Sequence, residues 1–435
     1  MDQVYFRITK LPMSLESNSP CSALFLDSGG GWLPDMVRPG SPQEESSFVF
    51  FRDPVFSLSS LGQGVSVSLQ DRKLNFNRDP LSVLEGYLSE GYIAVGYVSY
   101  EYSRFTEEGF IPIWKKEGET YPDIYLQFFK ERDVISGSLE DLKNILPTHY
   151  QTLKAYNPLM RIEMYSNMTK MEYLNMIRFA KEYIASGDIY QVNLSQRFTT
   201  PILSPPIFCF LNLFDVQPVP YGCYIDFGQF QLISGSMELF LRKTGRKIVT
   251  KPIKGTRKKG FSVEEDAILK AELISSQKER AENLMIVDLM RNDLGRVCNY
   301  GTVKVNNLFN IESYATLHQM VSEVEGYLKD EIRIGDIIKS TFPPGSVTGA
   351  PKRRAVELID ELEPHVRGPY CGAIGIFYPN GDFTLSVAIR ILFAKDGIGT
   401  FWVGGGIVWD SDPEKEFDET LVKAIAIQKA LGIVE

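Results

Sequence analysis

The sequence predicts an α+β fold in which large antiparallel sheets are flanked by helices, on three observations. First, the C-terminal third strings apolar runs between hairpin dipeptides. Residues 371–378 (CGAIGIFY) lead to Asn380-Gly381, residues 383–393 follow, then Asp396-Gly397, then residues 399–409. Asn-Gly and Asp-Gly favour tight turns because both centres can take positive φ, so the three runs predict an antiparallel meander. Second, residues 92–100 (YIAVGYVSY) form a continuous apolar run of strand length. Third, strand and helix patterns do not alternate as βαβ units, which argues against a parallel sheet.

Taken in order, residues 1–135 read as an N-terminal portion of mixed strands and short helices, open to sharing the sheets and to holding a regulatory pocket. Over 136–164 Gly, Ser, Pro and Asn accumulate and apolar periodicity fades, which marks a connection to a larger portion at 165–435. A helix opens at Thr169 with Glu172 completing a capping box, and Gly187 stops it after Ser186. Residues 265–294 are helical in pattern and end at Gly295. The last helix has Asp412 as N-cap and Pro413 in its first position, where the missing N–H costs nothing.

Composition removes several function classes. The 435 residues are 44% apolar and 23% charged, which suits a large globular core. No window approaches the roughly 20 apolar residues of a membrane span, and the start lacks a secretory pattern, so the cytoplasm is the expected location. Five scattered cysteines (Cys21, Cys209, Cys223, Cys298, Cys371) make neither a disulfide framework nor a zinc site. With only His149, His318 and His365, any metal is expected to be a hard cation on carboxylates. A net charge of −9 argues against a nucleic-acid partner. One strip runs the other way: residues 242–259 carry nine Lys or Arg and no acid. It lacks the interleaved aromatics of a single-strand binder and suits a small anionic substrate.

Two glutamate pairs stand out. Glu279 and Glu282 are three apart in one helical run, and Glu416 and Glu419 are three apart in the other, with Lys423 on the same stripe. Such pairs are common on solvated faces, and spacing alone does not bring the two together. On 383–393, alternation puts Arg390 opposite the apolar face, among the small residues Thr384, Ser386 and Ala388, where its guanidinium could fork onto a carboxylate.

Pro252-Ile253-Lys254-Gly255-Thr256 resembles the PIKGT motif of chorismate-utilising enzymes. The stretches ERAENLMIVDLMRNDLGRV (279–297), GSVTGAPKRRAVELIDELEPHVRGPYCGAIG (345–375), VAIR (387–390) and GGGIVWDSDPEKEFDETLVKA (404–424) resemble the same family in the same order. The resemblance covers 165–435 nearly continuously and is weaker around 84–105. It implies two large antiparallel sheets packed face to face with helices outside. It implies a Mg²⁺ site of Glu279, Glu282, Glu416 and Glu419, with Glu282 and Glu419 as direct ligands and Glu279 and Glu416 acting through water. It also implies that Arg390, Tyr370 and backbone amides near Gly404 and Gly406 hold the enolpyruvyl carboxylate. Gly255 and Thr256 would lie beside the ring carboxylate, and Lys423 against the bound anion or metal shell.

Three positions separate the branches of that family. Lys254 stands where anthranilate synthases generally carry Ala and Lys-type aminodeoxychorismate synthases carry the nucleophile. An ordinary lysine, of pKa about 10.4, is roughly one part in a thousand neutral near pH 7.4; burial and the charges of Lys251 and Arg257 would favour the neutral amine. Gln191 stands where isochorismate and salicylate synthases carry a water-activating Lys, and an amide cannot be that base. Gln319 stands where most anthranilate synthases have the His associated with pyruvate elimination; His318 is adjacent but points elsewhere. Glu238, in Ser-Met-Glu where relatives have Ser-Pro-Glu, is the expected general acid. Lys258 and Lys259 replace the usual Pro-Arg, which loses a rigid turn. The resemblance thus implies amination of chorismate to 4-amino-4-deoxychorismate, with anthranilate synthesis as the first alternative. An isochorismate or salicylate synthase is a more remote one, and an inactive binding subunit is the alternative outside catalysis. No Cys-His amidotransferase arrangement is visible, so ammonia is expected from a separate glutamine amidotransferase subunit.

Overall fold

The computed structural model describes residues 21–27, 32, 46–62, 64–69, 72–107, 110, 112, 120–137, 163–314 and 317–433. Most of the 136–164 connection lies outside them. Among the described residues the strands form two sheets, of ten and twelve strands, with antiparallel pairings throughout. In the smaller sheet, Gln191–Pro201, Ile398–Ile407, Ile391–Lys395, Gln231–Ser236 and Tyr221–Asp226 are successive neighbours. In the larger, the order runs Ile253–Lys258, Leu317–Tyr327, Lys247–Lys251, Leu239–Thr244, Phe383–Val387, Ala373–Phe377, Ile93–Val98. Strands from the first 137 residues join both: Cys21–Asp27 pairs with Tyr221–Asp226, and Ile93–Val98 with Ala373–Phe377.

Alternation along each strand divides the interior into two cores. Ala23 and Phe25, Val49 and Phe51, Cys223 and Ile225, Ile391 and Phe393 face a large core shared by both sheets. Leu24 and Leu26, Phe48 and Phe50, Tyr224, Leu392 and Ala394 face a second core under helices Pro206–Val216 and Pro413–Ala430. Ile93–Val98 is buried at every position, as its unbroken apolar run requires. Cys209, Cys223, Cys298 and Cys371 are buried free thiols. Among the described residues no helix is long and apolar enough to cross a membrane.

The helix over Lys170–Ala185 begins with the Thr169–Glu172 capping box and ends before Gly187, at φ +83°. Asp412 caps the last helix through Lys415 N at 3.0 Å, with Pro413 first in it. The single helix expected over 265–294 is instead two, Val263–Ser275 and Gln277–Val297. Ser276 ends the first and caps the second, its hydroxyl accepting from Glu279 N at 3.3 Å. The second helix runs through Gly295 to Val297. This break puts Glu279 in a first turn, where the helix dipole favours a carboxylate.

The expected three-stranded meander is also corrected. Both hairpin turns form, but Ala373–Phe377 and Phe383–Val387 belong to the larger sheet, whereas Ile391–Lys395 and Ile398–Ile407 belong to the smaller. Residues 383–393 are therefore two strands, and the chain changes sheets at Ala388–Arg390. It makes the same crossing at Met237–Glu238, between Gln231–Ser236 and Leu239–Thr244. The two crossings are stitched together: Val387 N donates to Glu238 O at 3.0 Å, and Gly235 N to Arg390 O at 2.9 Å. Arg390 takes φ +53° there, so it does not sit on a strand face as alternation suggested.

Candidate active site

Glu238 and Arg390 are set by these crossings; Lys254 is set by a bulge. Ile253 pairs with Val321 and Thr256 with Gln319, so three steps on one strand oppose two on its neighbour. Gly255 absorbs the extra residue at φ +83°. The bulge aims the Lys254 amine across to the smaller sheet, where Nζ donates to Ser346 O at 3.2 Å. Gly406 lies opposite with no room to spare: a Cβ there would stand 3.4 Å from Lys254 Nζ and 2.8 Å from Gln191 Nε2. The Gln191 side chain is fully buried, and neither its Oε1 nor its Nε2 has a hydrogen-bond partner among the described residues. Because a buried amide left unpaired is costly, its polar atoms are poised for something that enters this space.

Glu238 is 4% exposed. Burial pushes its carboxyl up to about 7, opposed by a hydrogen bond to the Ser346 side chain, the Lys254 charge and the Ile253 N–H. Ser346, in the turn Gly345–Val347, thus meets the amine with its carbonyl and the carboxyl with its hydroxyl. The turn signal Pro343-Pro344-Gly345 is plain in the sequence, but nothing in the spacing ties it to Lys254. The sequence reading passes over Ser346.

The two glutamate pairs come together across this space. Burial pushes Glu282 up; Lys254 and Lys278 oppose that, while Glu279 and Glu416 add to it. Burial likewise raises Glu416, against a 2.7 Å hydrogen bond from Ser411 Oγ, with Glu419 raising it further. Glu419 is lowered, first by Lys423, whose Nζ stands 2.7 Å away. Glu279 pairs with Arg257 at 3.3 Å and Glu282 with Lys278 at 3.9 Å. With each carboxylate turned to such a partner, no three His, Cys, Asp or Glu among the described residues stand close enough to hold an ion. The chemistry of the donor set nevertheless suits a hard divalent cation: oxygens only, from two helices, with Glu282 and Glu416 repelling one another.

A second group gathers at the other end. Lys423 Nζ donates to Gly404 O at 2.8 Å, and Arg390 Nη1 to Lys423 O at 3.1 Å. Arg390 is drawn down by burial, with Tyr370 and Glu419 near enough to oppose it. Tyr370 is buried and stacks on Trp402, centroids 6.0 Å apart and planes within 7°. Thr256, by contrast, is exposed at the sheet edge. Lys251 and Arg257 are held by carboxylates, Lys251 by Glu323 at 3.2 Å and Glu312 at 3.6 Å. Their charges are compensated where they stand, which weakens the part expected of them in favouring a neutral amine.

A model of the chorismate binding enzyme family matches residues 64–429. The chain is a member of that family. It is 39% identical over 359 residues to an aminodeoxychorismate synthase component 1 of Bacillus subtilis, covering 77% of this chain and 76% of that protein. It is 45% identical over 270 residues to an anthranilate synthase component 1 of Aquifex aeolicus, covering 62% of this chain but only 55% of that protein. A crystal structure of anthranilate synthase component I from Streptococcus pneumoniae superposes with a TM-score of 0.75 at 29% identity, covering 91% of this chain and 94% of that one. The two-sheet fold expected from the motifs is therefore the family's fold, and the membership expected from them holds.

As in any member of a family that shares one scaffold, branch specificity rests on a few side chains. Gln319 is buried opposite Thr256, its Nε2 directed at Met237 Sδ and its Oε1 without a hydrogen-bond partner among the described residues. His318 points away, to Ser313 Oγ at 2.8 Å and Asp266 Oδ1 at 2.9 Å, as strand alternation requires. The bulge gives a direct test of the geometry. A Cβ on Gly255 would lie 2.9 Å from both Glu279 Oε2 and Leu273 Cδ1. Gly255→Ala should lower stability by about 1–2 kcal/mol through the left-handed backbone alone, measured by urea unfolding, and should also displace Glu279.

Proposed function

We propose that this chain is component I of an aminodeoxychorismate synthase, converting chorismate and ammonia to 4-amino-4-deoxychorismate in the synthesis of 4-aminobenzoate for folate. Relatives bearing this name and the anthranilate synthase name are both similar to the chain, so names do not choose between them. The observation that carries the reading is the Lys254 amine, aimed by a bulge into the space between Ser346, Gly406 and Gln191, beside a Glu238 carboxyl raised to about 7. An amine and a carboxylic acid side by side are what a displacement of a poor leaving group needs.

In this mechanism the Lys254 amine forms a bond to ring carbon 2, the ring double bonds shift, and the bond from carbon 4 to its hydroxyl breaks. Glu238 gives its proton to the departing oxygen, which leaves as water, and the proton lost by the new ammonium returns to the carboxylate. Ammonia then bonds to carbon 4, the double bonds shift back and the bond from carbon 2 to the lysine nitrogen breaks. Glu238, now protonated, gives its proton to that nitrogen, which leaves as the amine, and takes up the proton shed by the new ammonium. Arg390, Tyr370, Lys423 and the backbone at Gly404 and Gly406 hold the enolpyruvyl carboxylate. Gln191 offers no base to activate water, and Gln319 no acid or base for pyruvate elimination.

Mg²⁺ would be held by Glu282 and Glu419, with Glu279 and Glu416 through water, and bound there it would neutralise the ring carboxylate. Chelation should therefore abolish turnover, and Glu282→Gln should raise the Mg²⁺ concentration for half-maximal rate by about 10–100-fold. A rate unaffected by chelator would remove the metal from the reading. Ammonia comes from a separate glutaminase subunit, with ammonium replacing it in vitro.

The test is product analysis. Protein with chorismate, ammonium and Mg²⁺ should yield 4-amino-4-deoxychorismate, converted to 4-aminobenzoate only after a lyase is added. Anthranilate as the main product would assign the chain to the other branch.

A further inference from the structure

Behind the site lies a buried ion pair that the mechanism above does not use. Arg367 and Glu363 are 1% and 2% exposed. Arg367 Nε donates to Glu363 Oε2 at 2.9 Å and Nη2 to Oε1 at 2.7 Å, a two-pronged fork. The guanidinium has two further reaches. Nη2 donates to Asn193 O at 2.7 Å, on strand Gln191–Pro201, and Nη1 to Val347 O at 3.1 Å, in the turn that carries Ser346. Glu363 Oε1 accepts in addition from Ser195 N at 2.7 Å and Ser195 Oγ at 2.8 Å, on the same strand. The ring of Tyr100 lies under the guanidinium, 4.6 Å from its carbon.

A buried ion pair is a poor source of stability, since an apolar pair of similar volume often does as well or better. What this pair does that an apolar pair cannot is join two separate pieces of backbone at fixed length. Strand Gln191–Pro201 is secure without it, held to Ile398–Ile407 along ten residue pairs. The turn is joined to that strand just past its end, by Asn193 N to Thr348 O at 2.8 Å and the pairing of Gly349 and Ala350. But at Val347, next to Ser346, its own backbone bond to Pro344 O is long at 3.3 Å, and the Arg367 guanidinium is what holds the Val347 carbonyl. Yet this turn presents the Ser346 carbonyl to Lys254 and the Ser346 hydroxyl to Glu238.

We infer that Arg367, clamped by Glu363, is a positioning residue. It ties the Ser346 turn to strand Gln191–Pro201 and so fixes the Lys254 amine and the Glu238 carboxyl relative to the Gln191–Gly406 wall. The inference deepens the proposed function and rests on Lys254 and Glu238 acting as described there. Arg367 is buried and acts, on this reading, through the Ser346 turn. Its guanidinium also lies 5.9 Å from the Tyr370 ring, but its hydrogen bonds run to the Ser346 turn and strand Gln191–Pro201 and not to Arg390 or Lys423. Its loss therefore falls on the alignment of the reacting groups, and on kcat more than KM.

The experiment compares wild type, Arg367→Lys, and the apolar pair Glu363→Leu with Arg367→Met, following chorismate loss whatever the product. Misplacement of reacting groups by an ångström costs about 10²-fold. Both variants should lose kcat on that scale with KM for chorismate little changed. The apolar pair also strips Ser195 N, Asn193 O and Val347 O of partners, so Tm is followed alongside as the check on folding. An apolar pair that folds with wild-type kcat would overturn the inference, since the ion pair would then be structural filling. If that double variant does not fold, Arg367→Lys, which keeps the charge and loses the fork, decides: wild-type kcat there overturns it equally. A second readout needs no turnover. Acetylation of Lys254, followed by peptide mass spectrometry at fixed pH, should change rate several-fold in either variant as the amine leaves Ser346. An unchanged labelling rate would sink the positioning role. A wild-type protein that does not consume chorismate, with labelling still sensitive to Arg367, would sink the proposed function instead.

Discussion

Lys254→Ala should slow amination of chorismate by on the order of 10³-fold, the scale on which loss of one catalytic group registers, while Tm stays near wild type. Two features of the site set this expectation. The lysine is partly buried but among the described residues makes a single hydrogen bond, to Ser346 O at 3.2 Å, so removing it strands one carbonyl. On the proposed route its work lies in the chemistry, because without it ammonia would displace a ring hydroxyl in one awkward step. The measurement is kcat with saturating ammonium, with far-UV circular dichroism and Tm as the check on folding. Wild-type kcat in this variant would exclude the covalent route even if the product were 4-amino-4-deoxychorismate. Lys254→Arg is the companion: it keeps a positive charge near Glu282 and Glu419, so a defect shared by both variants belongs to the missing nucleophile and not to the missing charge.

The glutamates and the lysine could be found in sequence because their neighbours in the chain form long motifs, and motifs are local. What joins them is not local. Arg390 illustrates the limit. Alternation along 383–393 is unbroken, so the run reads as one strand, yet Phe383, Leu385 and Val387 face the core from one sheet while Ile391 and Phe393 face it from the other. Both sheets line the same core, so the apolar period passes through the crossing without a mark. Only the positive φ at Arg390 betrays it, and no glycine advertises that position. The helix break at Ser276 is similar. Ser276 is followed three residues later by Glu279, a start signal in the middle of a helical pattern, but the periodicity on either side outweighs one serine. Ser346 and the Glu363–Arg367 pair escape for a different reason: much of what they do runs through backbone groups, the Ser346 and Val347 carbonyls and Ser195 N, which leave no trace in residue type.

Glu238→Gln should be the other severe lesion, with kcat/KM lower by about 10²–10⁴-fold, the range for a general acid. The wild-type pH profile should show why. Burial is the first cause of the raised carboxyl value, and the Ser346 hydroxyl, the Lys254 charge and the Ile253 N–H limit the rise to about 7. The acid must hold its proton to give it up, so the fully active form exists below that value. Activity contributed by Glu238 should therefore fall as pH rises through about 7. The residual activity of Glu238→Gln should lack this limb, since an amide has no proton to lose there. Linkage gives an independent check. A carboxyl raised in the folded state from 4.5 to about 7 leaves stability undiminished below 4.5 and removes it progressively between the two values as the unfolded chain sheds its proton first. Glu238→Gln should flatten that part of the Tm–pH curve. A wild-type kcat/KM level from pH 6 to 9, or a glutamine variant that keeps the alkaline limb, would take the proton-donor role away from this residue. It would leave Glu238 as a buried carboxylate whose only service is to hold Lys254.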